Sequence, residues 1–233
     1  MAGSSRPTRR ALHLPLGRAD YGWTLELQRT LHARRTAGAI PDLVITVEHN
    51  PVLTFGRSGS REHLLAPAAE LRREGIELFD IERGGDVTYH GPGQLVIYLI
   101  IDLREHGRDV KGFVRRLEDA AIATLSEFDI TGERRDGYPG VWVGEHKIAA
   151  IGVYVKRWVT RHGLALNVAV NPDHFAMIRP CGLPIEVVSV CDLLGRSVPL
   201  DRVRDCFIGE LERRFGWDFE PTSLVETLGG ADG

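Results

Sequence analysis

The sequence predicts an α+β fold with mixed or antiparallel sheets. Hydrophobic residues recur at helical spacing around residues 20–35, 109–128 and 201–215. Short β-branched or wholly apolar runs lie between those segments. Two such runs are joined by Gly144-Glu145-His146, a hairpin-length connection that a doubly wound parallel sheet does not use.

Each element has a local reason. In the first helix Trp23, Leu27 and Leu31 repeat at i, i+4, and Asp20 stands ready to cap the free N–H groups. Residues 43–47 (LVITV) lie between Pro41 and Pro51 and read as a strand. A short helix over 67–73 ends at Gly75, and 76–81 reads as a strand. Residues 94–101 form an unbroken apolar run of strand length, as expected for a strand covered on both faces. The clearest helix spans 109–128, with Val110, Phe113, Val114, Leu117, Ala121, Leu125 and Phe128 on one stripe and Arg115, Arg116 and Glu118 off it. Strands follow at 141–143, 147–155 and 164–170. The last helix, 201–215, turns Val203, Phe207 and Leu211 inward and stops at Gly216.

Composition excludes several classes of function. The chain has 233 residues, with 29 Lys+Arg against 32 Asp+Glu, so 29 − 32 = −3. That balance argues against a general nucleic-acid binder, which needs a positive excess to neutralise phosphates. Hydrophobic residues make up 43%, too many for a disordered chain. The longest apolar runs fall far short of the ~20 residues that span a bilayer. Cys181, Cys191 and Cys206 cannot all pair, and no CxxC spacing suggests a zinc site. The expectation is one domain over 1–233, cytoplasmic and monomeric, with poorly ordered tails at 1–10 and 222–233.

Three segments could carry chemistry. The first is Arg83-Gly84-Gly85-Asp86-Val87-Thr88-Tyr89-His90-Gly91-Pro92-Gly93-Gln94, where glycines let a ligand approach the backbone among dense polar side chains. It is neither a dinucleotide fingerprint nor a Walker loop, and on composition it reads equally as an ornate loop between strands. The second is Pro180-Cys181-Gly182, a thiol in a loop rather than on a packed helix face. Cys191 and Cys206 read as small packed hydrophobes. A nucleophilic cysteine must be a thiolate, and a free thiol has a pKa of about 8.5. A cation within ~4 Å is worth roughly 4 kcal/mol at an effective dielectric of ~20, about three pKa units before desolvation. Lys147, opening the apolar strand Ile148-Ala149-Ala150-Ile151-Gly152-Val153, could be that cation or a plain hairpin-corner lysine. The third is His162-Gly163-Leu164-Ala165-Leu166-Asn167, which could line an acyl pocket or be packed sheet.

Together these segments resemble the lipoyl(octanoyl) transferase family. RGGDVTYHGPGQ, HKIAAIGV, HGLALN and PCG stand in the family's order and spacing, and the likeness runs from about Tyr21 to Phe215. VEHNPVLTFGR also matches, with Asn50 where a proline is common, and Val187-Val188-Ser189-Val190 departs from the family's more usual Thr-Ser-Leu. The resemblance implies a biotin/lipoate protein ligase-like fold, a larger and a smaller sheet flanked by helices. It implies Cys181 as the acyl-thioester nucleophile and Lys147 as the group that lowers its pKa. It further implies that Arg83 to His90, Ala150, Ile151, Gly152, Gly163, Leu164 and Ala165 bind the acyl substrate. Octanoyl-acyl carrier protein would be the donor, and lipoyl domains of 2-oxoacid dehydrogenase complexes and the glycine cleavage H protein the acceptors. No metal or cofactor is implied. Backbone N–H groups at Cys181 and Gly182, helped by the His90–Gly91 turn, are the expected oxyanion donors. Lys156, Arg157 and Arg161 are a candidate patch for docking an acidic partner. The alternatives are an ATP-dependent lipoate or biotin ligase, a cysteine hydrolase using His90 or His174, and a binding module without catalysis.

Overall fold

The computed structural model describes residues 9–180 and 185–229. Its strands are β1 (Arg9–Ala19), β2 (Asp42–His49), β3 (Val52–Phe55), β4 (Glu77–Asp80), β5 (Val87–His90), β6 (Gln94–Ile100), β7 (Glu133–Arg135), β8 (Tyr138–Val143), β9 (His146–Lys156), β10 (Val159–Asn167) and β11 (Trp217–Pro221). The helices are α1 (Tyr21–Thr36), α2 (Ala68–Arg73), α3 (Val110–Ser126), α4 (Pro172–Ala176), α5 (Val190–Leu194), α6 (Leu200–Phe215) and α7 (Leu224–Leu228).

The strands form two sheets, a large one in the order β11-β1-β2-β6-β10-β9-β8-β7 and a small one in the order β4-β3-β5. In the large sheet β11, β1 and β2 run parallel, and every pairing from β2 onward is antiparallel. This is the expected α+β architecture with one larger and one smaller sheet. β6 is buried along its whole length. Its Leu95, Ile97 and Leu99 face a core with Phe113, Leu117 and Leu125 of α3 and Val203, Phe207 and Leu211 of α6. Its Val96, Tyr98 and Ile100 face a second core with Leu27 and Leu31 of α1. The small sheet packs a third core around Leu53, Phe55, Val87 and Tyr89.

Several elements differ from the sequence reading. β1 is missing from it because Pro15 and Gly17 look like breakers. The register of β1 on β2 shifts between those two residues, so the proline occupies an irregularity where a ladder bond is already lost. Residues 87–90, read as loop, form β5. β10 begins at Val159 rather than Leu164, after a two-residue turn in which Arg157 and Trp158 both have positive φ. Beyond Phe215 lie β11 and, within the segment expected as a tail, α7, which is closed by a Ser223–Glu226 capping box. Trp23, placed on the inner stripe, is 46% exposed; α1 instead buries Thr24, Leu27, Gln28 and Leu31. Glu118, placed off the α3 stripe, is buried because it accepts from Gly140 N at 3.1 Å and Arg134 Nε at 3.0 Å.

Among the described residues no helix is long and apolar enough to cross a membrane. Phe113 is fully buried, so Phe113→Ala should cost about 3–5 kcal/mol in denaturant unfolding. Trp23→Ala should stay within about 1 kcal/mol.

Candidate active site

A cavity of about 330 Å³ opens between the large sheet and the segment leading into β5. Its floor is made of side chains that share one face of three neighbouring strands. Asn167 pairs with Gln94, Ala165 with Ala150 and Val96, and Gly163 with Gly152 and Tyr98. Glycines stand in the last of these three rows because nothing larger fits there. A Cβ on Gly163 would lie 2.3 Å from Ile97 O, and one on Gly152 would lie 3.0 Å from Gly84 O and from Arg83 Cδ.

Lys147 reaches this cavity through a register slip. Val141 pairs with Ala149, but Trp142 pairs with Lys147, leaving Ile148 as an extra residue in β9. Ala149, Ile151 and Val153 pack toward the α3/α6 core. Without the extra residue, alternation would send Lys147 the same way; the bulge re-aims it at the cavity. Its Nζ donates to Pro139 O at 3.3 Å and sits 4.8 Å from the Trp142 ring centroid. Its backbone N–H donates to Glu186 O at 2.9 Å, and its carbonyl accepts from Val188 N at 3.2 Å.

The roof is the glycine-rich segment. Gly84 N donates to Val153 O at 2.9 Å, so the segment crosses β9 at Gly152–Val153. Arg83 is pinned beneath it, donating to Thr54 O at 2.6 Å, Thr54 Oγ1 at 2.9 Å and Gly84 O at 3.0 Å. Asp86 accepts from Ser60 N at 3.1 Å and pairs with His63 Nδ1 at 2.5 Å. His63 O in turn accepts from Arg179 N at 2.8 Å, and Leu64 bridges Ile178. The chain approaching Pro180 is thereby tied to the same roof.

One cavity wall is a buried polar network. Gln94 Nε2 donates to Asn167 Oδ1 at 2.9 Å, and Asn167 Nδ2 donates to Val188 O at 3.2 Å. Gln94 Oε1 therefore faces His90 Nδ1, 2.7 Å away, and the neutral ring carries its proton there. Burial pulls His90 down to about 3, aided by the coulombic effect of His49. Burial likewise pulls His49 to about 4 and His162 to about 3. Burial raises the Tyr98 hydroxyl well above its ordinary value.

The cavity gathers Lys147, Arg83, Gly84, Gly85, Asp86, Val87, Thr88 and His90 with Ala150, Ile151, Gly152, Gly163, Leu164 and Ala165. Tyr89 points the other way, into the small-sheet core, where its hydroxyl meets His174 Nδ1 at 2.7 Å. Cys181 and Gly182 lie outside the described residues, but Pro180 and Ile185, on either side of that segment, both line the cavity. Cys191 and Cys206 pack partly buried against the main core. Arg161 is not part of a surface patch: it is buried and paired with Glu82, leaving Lys156 and Arg157 exposed at the β9–β10 turn. Sequence reasoning named His162 within a segment that could line an acyl pocket but missed Tyr21 and Tyr98 as cavity residues. Their one visible signal is a polar atom set within or beside an apolar run. Among the described residues no cluster of His, Cys, Asp or Glu could hold a metal ion.

The α+β fold that carries this cavity is shared with solved lipoate protein ligases. A putative lipoate protein ligase from T. acidophilum superposes with a TM-score of 0.74 at 17% identity, over 94% of this chain and 91% of that one. A lipoate-protein ligase A bound with ATP gives 0.72 at 18% identity, over 95% and 91%. The sequence matches the lipoyl protein ligase A/B catalytic domain over residues 20–212. Relatives named octanoyltransferase include one from Syntrophobacter fumaroxidans, 44% identical over 94% of this chain and 96% of its own length. Another, from Solibacter usitatus, is 49% identical over 88% and 93%. The chain belongs to the lipoyl protein ligase A/B catalytic-domain family, and within it to the octanoyltransferases, which are acyl-transferring enzymes.

Ala150→Leu should fill the middle of the floor and lower acyl transfer roughly 10–100-fold while the protein stays folded, as read by initial rates and a thermal melt. His49, His90 and His162 stay neutral in the native protein below 6.5, where the unfolded chain takes up protons. Stability should therefore fall as pH drops from 6.5 toward 4. Each such histidine contributes up to about 1.4 kcal/mol per pH unit, and His49→Gln should flatten that slope in denaturant titrations.

Proposed function

We propose that this enzyme moves an octanoyl group from octanoyl-acyl carrier protein to a lysine of lipoyl domains, through a thioester on Cys181 assisted by Lys147. The acceptors are the lipoyl domains of 2-oxoacid dehydrogenase complexes and the glycine cleavage H protein, and the enzyme acts as a monomer. The observation that carries this reading is the position of Lys147. It lines the same cavity as Pro180 and Ile185, and its backbone is bridged to Val187. The floor beyond it is small and apolar, as an alkyl chain requires.

The reaction has two displacements. The Cys181 thiolate adds to the donor thioester carbonyl, the bond to the carrier sulfur breaks, and the carrier thiolate leaves with a proton from Lys147. The acceptor amine then adds to the enzyme thioester, a C–N bond forms, and Cys181 leaves as thiolate. The proton lost by the new amide nitrogen returns to Lys147. Thioester exchange is near neutral in energy and thioester-to-amide transfer is downhill, so ATP is not consumed.

Intact mass after mixing with octanoyl-carrier protein should show one octanoyl group on the wild type and none on Cys181→Ala. Lys147→Ala should acylate about 10²–10⁴-fold more slowly. ATP-dependent activity surviving in Cys181→Ala would overturn the thioester route in favour of a ligase. Release of free octanoate in place of transfer would favour a hydrolase.

A further inference from the structure

Glu118 stands among the buried and otherwise uncharged residues of α3. A buried carboxylate costs desolvation that an apolar side chain of similar size avoids, so what it holds matters. One of its oxygens accepts from Arg134 Nε at 3.0 Å, and the other accepts from Gly140 N at 3.1 Å. Gly140 lies in β8 with φ 130, a conformation that glycine adopts without strain, and a Cβ there would lie 2.4 Å from Ala149 O. Gly140 N–H and Pro139 C=O are two ends of one peptide group. That group is trans and planar, so its N–H and C=O point in opposite directions. Glu118 holds the N–H end, and the C=O end accepts from Lys147 Nζ at 3.3 Å. The lysine stem runs alongside, with Lys147 Cε 3.5 Å from where a Cβ on Gly140 would stand. Pro139 and Lys147 line the cavity, and Glu118 lies buried behind them.

We infer that Glu118 is a positioning residue for Lys147, acting through the Pro139–Gly140 peptide group. The inference rests on the acyl-transfer reading above, in which Lys147 gives up a proton and takes one back. The carboxylate acts in two ways. It fixes the plane of the peptide, so the Pro139 carbonyl stays aimed at the ammonium group. It also polarises that peptide. A negative acceptor on the N–H leaves more negative charge on the carbonyl oxygen, and hydrogen bonds in such a chain strengthen one another. Nζ is thereby held between the carbonyl and the Trp142 ring, whose centroid is 4.8 Å away. Arg134, donating from β7, balances the carboxylate and keeps it in place. A group that moves protons must stand within hydrogen-bond reach of its partner, and a small displacement is costly in rate. Glu118 touches none of the reacting atoms and acts by keeping Lys147 where they are.

The test measures acylation by octanoyl-carrier protein, followed by intact mass, for Glu118→Leu and Glu118→Gln. Each is made in the wild type and again in Lys147→Ala, whose slow acylation is followed over hours. Two quantities are read, the maximal rate and the donor concentration that gives half of it, with folding checked by thermal melt. Glu118→Leu should lower the maximal rate about tenfold and leave the half-saturating concentration within about twofold. Glu118→Gln keeps an oxygen for the Gly140 N–H but loses the charge, and should lower the rate only about threefold. In Lys147→Ala neither substitution should change the rate by more than about twofold, because the group they position is gone. A full rate in folded Glu118→Leu overturns the inference. So does an equal loss with and without Lys147, or a loss confined to the half-saturating concentration; either marks a merely structural carboxylate. Should Glu118→Leu fail to fold, Glu118→Gln decides by the same comparison across the two backgrounds. A wild type that takes up no octanoyl group overturns the acyl-transfer reading and this inference with it, whereas the other outcomes strike the inference alone.

Discussion

Where β9, β10 and β6 lie side by side, two glycines let backbone come within reach of backbone. Gly163 has no room for a side chain against the Ile97 carbonyl, and Gly152 has little against the carbonyl of Gly84. Side chains at these positions would push β10 off β6 and lift the roof segment off β9. The cavity depends on that contact. Gly84 could not reach Val153 O, Arg83 would lose its fixed place under Thr54, and the polar wall would face a cleft open to solvent. Packing gives the cavity its shape.

The charges around the cavity are arranged by the same packing. The imidazoles in and behind its wall are buried deeply enough to stay neutral, and hydrogen bonds to Gln94 and Ala19 fix which nitrogen of His90 and of His49 carries the proton. A protonated imidazole there would need a carboxylate to balance it, and the Gln94 amide beside His90 and the Tyr98 hydroxyl beside His49 offer only dipoles. The Lys147 ammonium is handled differently. It sits at the rim, on the face of Trp142 and on a carbonyl, where it keeps contact with water as well as with the cavity. Neutral imidazoles inside and an ammonium at the rim suit an uncharged tail with a reactive polar head.

Much of the fold was legible because it follows from local patterns. β6 announces itself by an unbroken apolar run, and α3 and α6 by stripes at helical spacing. What was hidden depends on partners distant in the chain. β1 carries Pro15 and Gly17, which read as breaks until the register shift against β2 is seen. β5 is masked by the glycines on either side of it. The bulge at Ile148 has no sequence signature at all, since it is a mismatch between two strands. The cavity segments were found through their glycines and through a family likeness. Tyr98 escaped because it stands in a strand that reads as one unbroken apolar run.

The edge of the large sheet is closed by β11, which pairs in parallel with β1 across nearly the whole chain: Arg9 lies against Trp217 and His13 against Pro221. A growing polypeptide emerging from the ribosome exposes β1 first and must wait for its outer neighbour until almost everything else has been made. Until then one flank of the nascent sheet stays unpaired, a template for a wrong partner. Contacts so remote in sequence also slow folding. The order of synthesis, rather than the finished sheet, is where this topology is most exposed to error.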